Sequence, residues 1–188
     1  MLKTILLILL LTFSFSVWSQ EDTGVFIEQF HERAFPGSEL KWQTLWLTKE
    51  LRLEAEQLLG HSFKGLRVRY FGRNKRTAWI LDEIGKELPI TVGVVIDNNQ
   101  INDVVILEFR ESRGGEVAYP FFTKQFNHLN LSVYEDTYKL SQDIDGITGA
   151  TLSVRAVKKV VMLALLFHQQ THFSQALSPN NETKLTEH

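Results

Sequence analysis

The chain has 188 residues, of which 44% are hydrophobic and 22% charged, with a formal net charge of -2. That length supports one domain with a core of its own, not two large ones. The near-neutral balance supplies no basic stripe for nucleic acid. The absence of cysteine rules out disulfides, thiolate-bound metals, iron–sulfur clusters and c-type haem.

The first residues have the layout of a secretory signal. Met1 to Thr4 give a short basic start, Ile5 to Phe13 an apolar run, and Ser14 to Ser19 a small polar stretch. Val17 and Ser19 stand at the −3 and −1 positions of a cut before Gln20. The run is short for a membrane span, which needs about 20 residues. Residues 1–19 are therefore expected to be a cleaved export signal, with an uncleaved anchor as the alternative.

Glu21 to Leu59 reads mostly helical, with Phe26, Phe30 and Ala34 at helical spacing and a break at Pro36-Gly37. Ser38 to Leu47 is mixed. The second helix starts at Thr48, presents Leu51, Ala55, Leu58 and Leu59 on one face, and ends at Gly60-His61. The period then changes to two. Leu66, Val68 and Tyr70 alternate with Arg67 and Arg69, Arg73-Asn74-Lys75 turns, and Thr77 to Leu81 returns. Ile90 to Ile96 and Ile101 to Phe109 are joined by the turn Asp97-Asn98-Asn99-Gln100. Two hairpins in succession predict an antiparallel sheet.

A glycine loop, Glu111 to Val117, follows, then Tyr119-Pro120-Phe121-Phe122 and a short helix around Thr123 to Phe126. Asn127 to Lys139 is read as loop with some strand, and Ile144 to Thr151 as a tight polar turn. Leu152 to about His168 is the clearest helix. Ala156, Val157, Val160, Val161, Ala164 and Leu165 share one face, opposite Arg155, Lys158 and Lys159. The last residues, from Ser178, are polar. The expected class is α+β, a twisted antiparallel sheet with flanking helices and a long C-terminal helix.

The chemistry concentrates in Asp145-Gly146-Ile147-Thr148-Gly149-Ala150-Thr151-Leu152-Ser153. This small-residue turn delivers hydroxyls to a helix start, where free backbone N–H groups and the helix dipole favour an anion. On the residues alone two uses stay open. Thr148, Thr151 or Ser153 is the N-cap of the last helix, the commoner use, or the turn binds a phosphate.

The stretch Asp145 to Thr151 resembles the flavinylation motif of the FMN-binding domain family: Asp, two residues, Ser or Thr, Gly, Ala, then Ser or Thr. That family includes the C subunit of the sodium-pumping NADH:quinone oxidoreductase, the G subunit of the Rnf complex and small exported relatives. Other segments are similar in the same order. Glu87 to Ile96 looks like the opening strand, Ile101 to Leu107 its partner, Glu111 to Val117 the glycine loop, and Phe122 to Phe126 the Phe-rich segment. One departure is Ser112, where larger subunits tend to have Thr.

The resemblance implies FMN esterified through its phosphate to Thr151. Asp145, Thr148, Gly149 and Ala150 hold the matching motif positions, and Glu111, Ser112, Gly114 and Gly115 the glycine loop beside the flavin. Tyr119, Phe121 or Phe122 would line one side of the ring. It also implies a flavin transferase that uses FAD and magnesium and releases AMP. The organisation expected is a signal peptide (1–19), an N-terminal helical and hairpin region packed on the core (20–86), the FMN-binding domain (87–170) and a polar tail (171–188).

The function so implied is an electron carrier of the periplasm, or of the outer face of the inner membrane, exchanging electrons with a membrane or periplasmic redox protein. It is expected to be a carrier more than a stand-alone enzyme, with no catalytic residue, metal or nucleic acid. A flavin-dependent reductase with its own substrate and a cofactor-free interaction module are the alternatives from other classes.

Four further features read as structural. His168 and His172 are spaced like a metal pair but are expected at a solvated helix end. His31-Glu32 lacks the second His of a metalloprotease motif. Trp42 and Trp46 are expected as core or lid. Arg67, Arg69, Arg73, Lys75 and Arg76 form a basic hairpin edge, with docking of an acidic partner as its second use.

Overall fold

The computed structural model describes residues 21–39, 41–135 and 137–174. The expected export signal therefore lies outside the described residues, as does the tail beyond residue 174. Among the described residues no helix is long and apolar enough to cross a membrane.

Helix α1 (Glu21–Ala34) precedes strand β1 (Gln43–Trp46) and helix α2 (Lys49–Leu59). Strands β2 (Arg67–Arg73), β3 (Arg76–Ile84), β4 (Pro89–Asp97) and β5 (Gln100–Phe109) follow. A short turn α3 (Pro120–Thr123) and the hairpin β6 (Leu131–Tyr134) and β7 (Thr137–Leu140) lead to helix α4 (Thr151–Gln169). The five strands β1 to β5 form one antiparallel sheet in sequence order, and β6–β7 a separate ribbon. The α+β class, the flanking helices and the long C-terminal helix are as the periodicities predict.

The local signals explain these boundaries. Thr48 caps α2, its hydroxyl accepting from the Leu51 N–H at 3.2 Å, and Gly60 closes it with φ 74°. The β4–β5 turn needs two left-handed residues in a row. Asn98 and Asn99 supply φ 50° and 64°, the pattern of a type I′ turn.

The sheet is covered on both faces. On one, Val68, Tyr70, Trp79, Val92, Val94 and Ile96 pack against α2 and α4. On the other, Phe71, Ala78 and Val95 receive Phe30, Ala34 and Phe35 from α1 and the turn after it, and Trp42 stacks on Phe71 at 4.0 Å. Trp46, by contrast, is exposed beneath Arg67. The N-terminal region is thus continuous with the sheet, since β3 pairs with β4 from Arg76↔Asp97 to Ile84↔Pro89. Gly93 sits where Phe30 meets β4, and a Cβ there would stand 2.5 Å from the ring. Gly93→Ala is expected to overpack this face by about 1–3 kcal/mol, read as a lower denaturant midpoint with unchanged m-value.

Helix α4 differs from its amphipathic reading. Six consecutive residues, Leu163 to His168, are buried, so its second half is enclosed all round. His168 is not at a solvated end. Its ring is fully buried, with Nδ1 2.7 Å from Thr77 Oγ1 and Nε2 3.0 Å from Asn99 Oδ1. Lys159, expected on a polar face, reaches the buried Glu83 at 3.3 Å and donates to the Leu59 carbonyl. His61 Nε2 meets the same Glu83 carboxylate at 2.9 Å, so the end of β3 is tied to α2 and α4. The packed body also runs past residue 170, because Thr171 and Phe173 are buried and Phe173 lies edge-on to Tyr70.

Candidate functional site

The loop before α4 is built as a small turn. Buried Ile144 anchors it, and Gln125 Oε1 accepts the Asp145 N–H at 2.8 Å. The Ala150 N–H donates to the Ile147 carbonyl at 3.0 Å, closing a turn over Thr148 and Gly149. Gly149 has φ 83°, which the third position of a type II turn requires and which other residues reach with strain. Ala150 is buried, and Thr151 emerges exposed as the first residue of α4.

The end of this 19-residue helix has no side-chain cap. Ala150 occupies the capping position, so neither Thr148, Thr151 nor Ser153 serves as N-cap. The first helical bond runs from Val154 to Ala150 at 2.9 Å. The N–H groups of Thr151, Leu152 and Ser153 have no protein partner among the described residues. A terminus with that deficit is usually satisfied by side chains, water or ligand.

An open cleft of about 610 Å³ adjoins it, lined by Lys86, Glu111, Ser112, Arg113 and the run Gly149 to Ser153. That size falls within the roughly 300–1,000 Å³ of ligand sites. Of the residues expected at the site, Glu111, Ser112, Gly149, Ala150 and Thr151 meet on this wall. Gly114 stands behind it, packed against Ser153 and Ala150, with φ 89°. Gly115 has neither positive φ nor crowding, and Asp145 and Thr148 are exposed on the turn outside the wall. Tyr119 and Phe121 are exposed but do not line the cleft, while Phe122 is core, edge-on to Phe126 at 5.4 Å.

Lys86 joins the site without having been expected there, and Arg113 of the glycine loop and Leu152 and Ser153 of the motif stretch complete the wall. These residues come from three separate segments, and only the folded register brings Lys86 to the other two. Arg113 has no ion-pair partner among the described residues, and Lys86 pairs with the exposed Glu87 and lies in the field of the Glu111 carboxylate. Such an exposed pair contributes little, which leaves both cations available to an anion.

Glu111 has a structural task as well as a place on the wall. Its Oε1 accepts from the backbone N–H groups of Lys86, Glu87 and Leu88 at 2.5, 2.7 and 2.9 Å. These bonds, those of Leu88 and Glu87 foremost, hold its carboxyl below the usual carboxylate range. One oxygen is thus committed to bracing the β3–β4 turn that carries Lys86. Glu111→Ala is expected to speed hydrogen exchange at Lys86 to Leu88 while leaving the central strands protected.

Residues 85–166 match the model of the FMN-binding domain family. The chain carries an FMN-binding domain. The match starts in the β3–β4 turn and ends within α4, and it contains every residue that lines the cleft. Among curated proteins no relative matches the chain. The donor set fits the cofactor of this domain. Free N–H groups and two cations suit a phosphate, and the glycine and alanine of the turn let a bulky ester approach the backbone. Two further concavities border the turn after α1. The larger, about 450 Å³, includes Arg76, which is already bound to Asp97 at 2.6 Å and to the Ala34 carbonyl.

Proposed function

We propose that this protein holds FMN at the cleft through a phosphoester to Thr151 Oγ1 and serves as an electron carrier outside the cytoplasm. The observation that carries this is Thr151 itself, exposed at the uncapped start of α4 and lining the cleft.

Attachment balances as a transfer from FAD. The Thr151 oxygen forms a bond to the FMN phosphorus, the pyrophosphate bond breaks, AMP leaves, and the hydroxyl proton passes to a base of the transferase. A magnesium-dependent flavin transferase is therefore the maturation partner. Asp145 and Thr148, exposed beside the acceptor, offer the side chains such an enzyme would read.

The chain's own groups then do three things. The helix terminus offsets phosphate charge, worth about 0.3–1 kcal/mol from the dipole alone. Arg113 and Lys86 add positive charge at the wall. The Gly149 turn keeps the acceptor away from the core. When bound, the flavin supplies the redox chemistry, and the protein sets its position and potential.

The ester makes physical sense for an exported protein, and the layout of residues 1–19 supports export. A site with Kd of about 1 µM holds its ligand by about 8.2 kcal/mol, too little where free FMN is dilute. A covalent link keeps the ring near the cleft at an effective concentration of roughly mM. An open cleft suits exchange with a membrane or periplasmic redox protein as donor or acceptor.

The test is co-expression with and without a flavin transferase, followed by in-gel fluorescence after denaturation. A fluorescent band that needs the transferase is expected. A colourless protein under both conditions contradicts the proposal.

A further inference from the structure

We propose that Ser153 is a second hydroxyl ligand of the flavin phosphate, with Gly114 as the residue that makes room for it. This rests on the cleft being the FMN site.

Ser153 has only 4% of its surface accessible, yet its hydroxyl makes no hydrogen bond to any described residue. No fully enclosed polar side-chain atom among the described residues lacks a partner. The Ser153 oxygen therefore opens toward the cleft that the residue lines. With no protein partner, that hydroxyl can be satisfied only by water or a ligand in the cleft, and its two usual helical uses are both absent. It does not cap the helix, and it does not bond back to a carbonyl of the preceding turn.

The surroundings specify what it faces. Ser153 is the third residue of α4, and side chains tilt toward the helix start. Its oxygen thus shares the terminus with the free N–H groups of Thr151, Leu152 and Ser153. A hydroxyl is a donor as well as an acceptor, so the group completes a set of donors around an anion. The isoalloxazine ring would not need that set, whereas a phosphate uses all of it.

Gly114 is fitted to the same hydroxyl. A Cβ at Gly114 would stand 2.5 Å from Ser153 Oγ, and its φ of 89° already disfavours side chains. Any larger residue would push the hydroxyl off its line to the cleft. Gly114 therefore acts here through Ser153 and not by direct contact with the flavin.

The test uses the full chain produced without transferase, titrated with FMN and with riboflavin by fluorescence quenching. The native chain is expected to prefer FMN. Ser153→Ala should weaken FMN by roughly 10-fold or more, the effect of one hydrogen bond to a charged group, and leave riboflavin unchanged. Gly114→Ala should show the same selective loss. Ser153→Cys keeps the volume with a weaker donor and reads the same ratio if the alanine variant melts early. Equal losses for both ligands, an unaltered FMN affinity, or no native preference for FMN would each overturn the proposal. Covalent loading of the native chain is scored in parallel. Flavin on Thr151 with no Ser153 effect removes this inference alone, while no flavin and no FMN preference removes the site with it.

Discussion

Thr151→Ala is expected to carry no denaturant-stable flavin, a complete loss, because the substitution deletes the only atom that would form the ester. The protein itself should fold unchanged. Thr151 is exposed, its hydroxyl makes no hydrogen bond within the described residues, and Ala is favoured in helices. Thr151→Ser should retain the flavin, since the acceptor oxygen remains. Thr148→Ala separates the acceptor from its neighbour, because Thr148 lies on the turn, outside the cleft wall. It is expected to load more slowly but at Thr151. In-gel fluorescence of the variants, co-expressed with a transferase, measures all of these together.

The second large effect concerns stability in acid. His168 holds a buried chain of donors. Asn99 Nδ2 donates to the Ser174 carbonyl at 3.3 Å, which leaves Asn99 Oδ1 to accept from His168 Nε2–H. His168 Nδ1 then accepts from the Thr77 hydroxyl, whose oxygen accepts the Trp79 indole N–H at 2.8 Å. This arrangement requires a neutral imidazole. Burial pushes its pKa down from 6.5 to about 4, against a small opposing influence of Asp97.

The sign follows from which state binds the proton first. Above pH 6.5 the ring is neutral folded and unfolded, and its contribution is intact. As pH falls from 6.5, the unfolded chain takes up a proton that the folded one refuses, so stability drops until the folded pKa near 4 is passed. The full loss is about 3 kcal/mol. His61, held above its usual pKa mainly by Glu83, acts in the opposite direction, since its contribution is present at low pH and lost as pH rises. His168→Gln can keep both hydrogen bonds without titrating. Urea denaturation at pH 7 and pH 4.5 should show a steep decline in the native protein and a flatter one in the variant. Equal slopes would contradict a neutral buried His168.

These two residues also show what the sequence discloses and what it conceals. Thr151 was legible because its signal is contiguous. A turn of small residues, a hydroxyl and a helix start lie within one short stretch. The hairpin at Asn98-Asn99 and the cap at Gly60 were legible for the same reason, since each is a local demand for positive φ. His168 was misread because helical periodicity reports one covered face, whereas the end of α4 is enclosed by strands, Phe63 and the residues that follow. The β6–β7 ribbon gave a weak signal because it has no fully buried position, β6 is almost wholly exposed, and β7 alternates only between exposed and half-buried residues.

The site was legible in part. Gly149, Ala150 and Thr151 share a cleft wall with Glu111 and Ser112, an association the family's glycine loop implied. Lys86 was not anticipated on that wall, and Arg113 and Ser153 were legible only as members of the glycine loop and of the motif stretch. No spacing rule links residue 86 to residue 113; the β4–β5 pairing that sets Ile90 opposite Phe109, together with the Glu111 carboxylate binding three amides of the β3–β4 turn, brings Lys86 to the end of β5. Phe122 illustrates the converse. Its place in a Phe-rich segment suggested a ring partner, and the fold uses it as core.

The most direct measurement is the mass of the tryptic peptide Leu140–Arg155 from protein co-expressed with a flavin transferase. The account predicts a gain equal to FMN less one water, with fragment ions placing it on Thr151. An unmodified peptide, or flavin on any other residue, would contradict it.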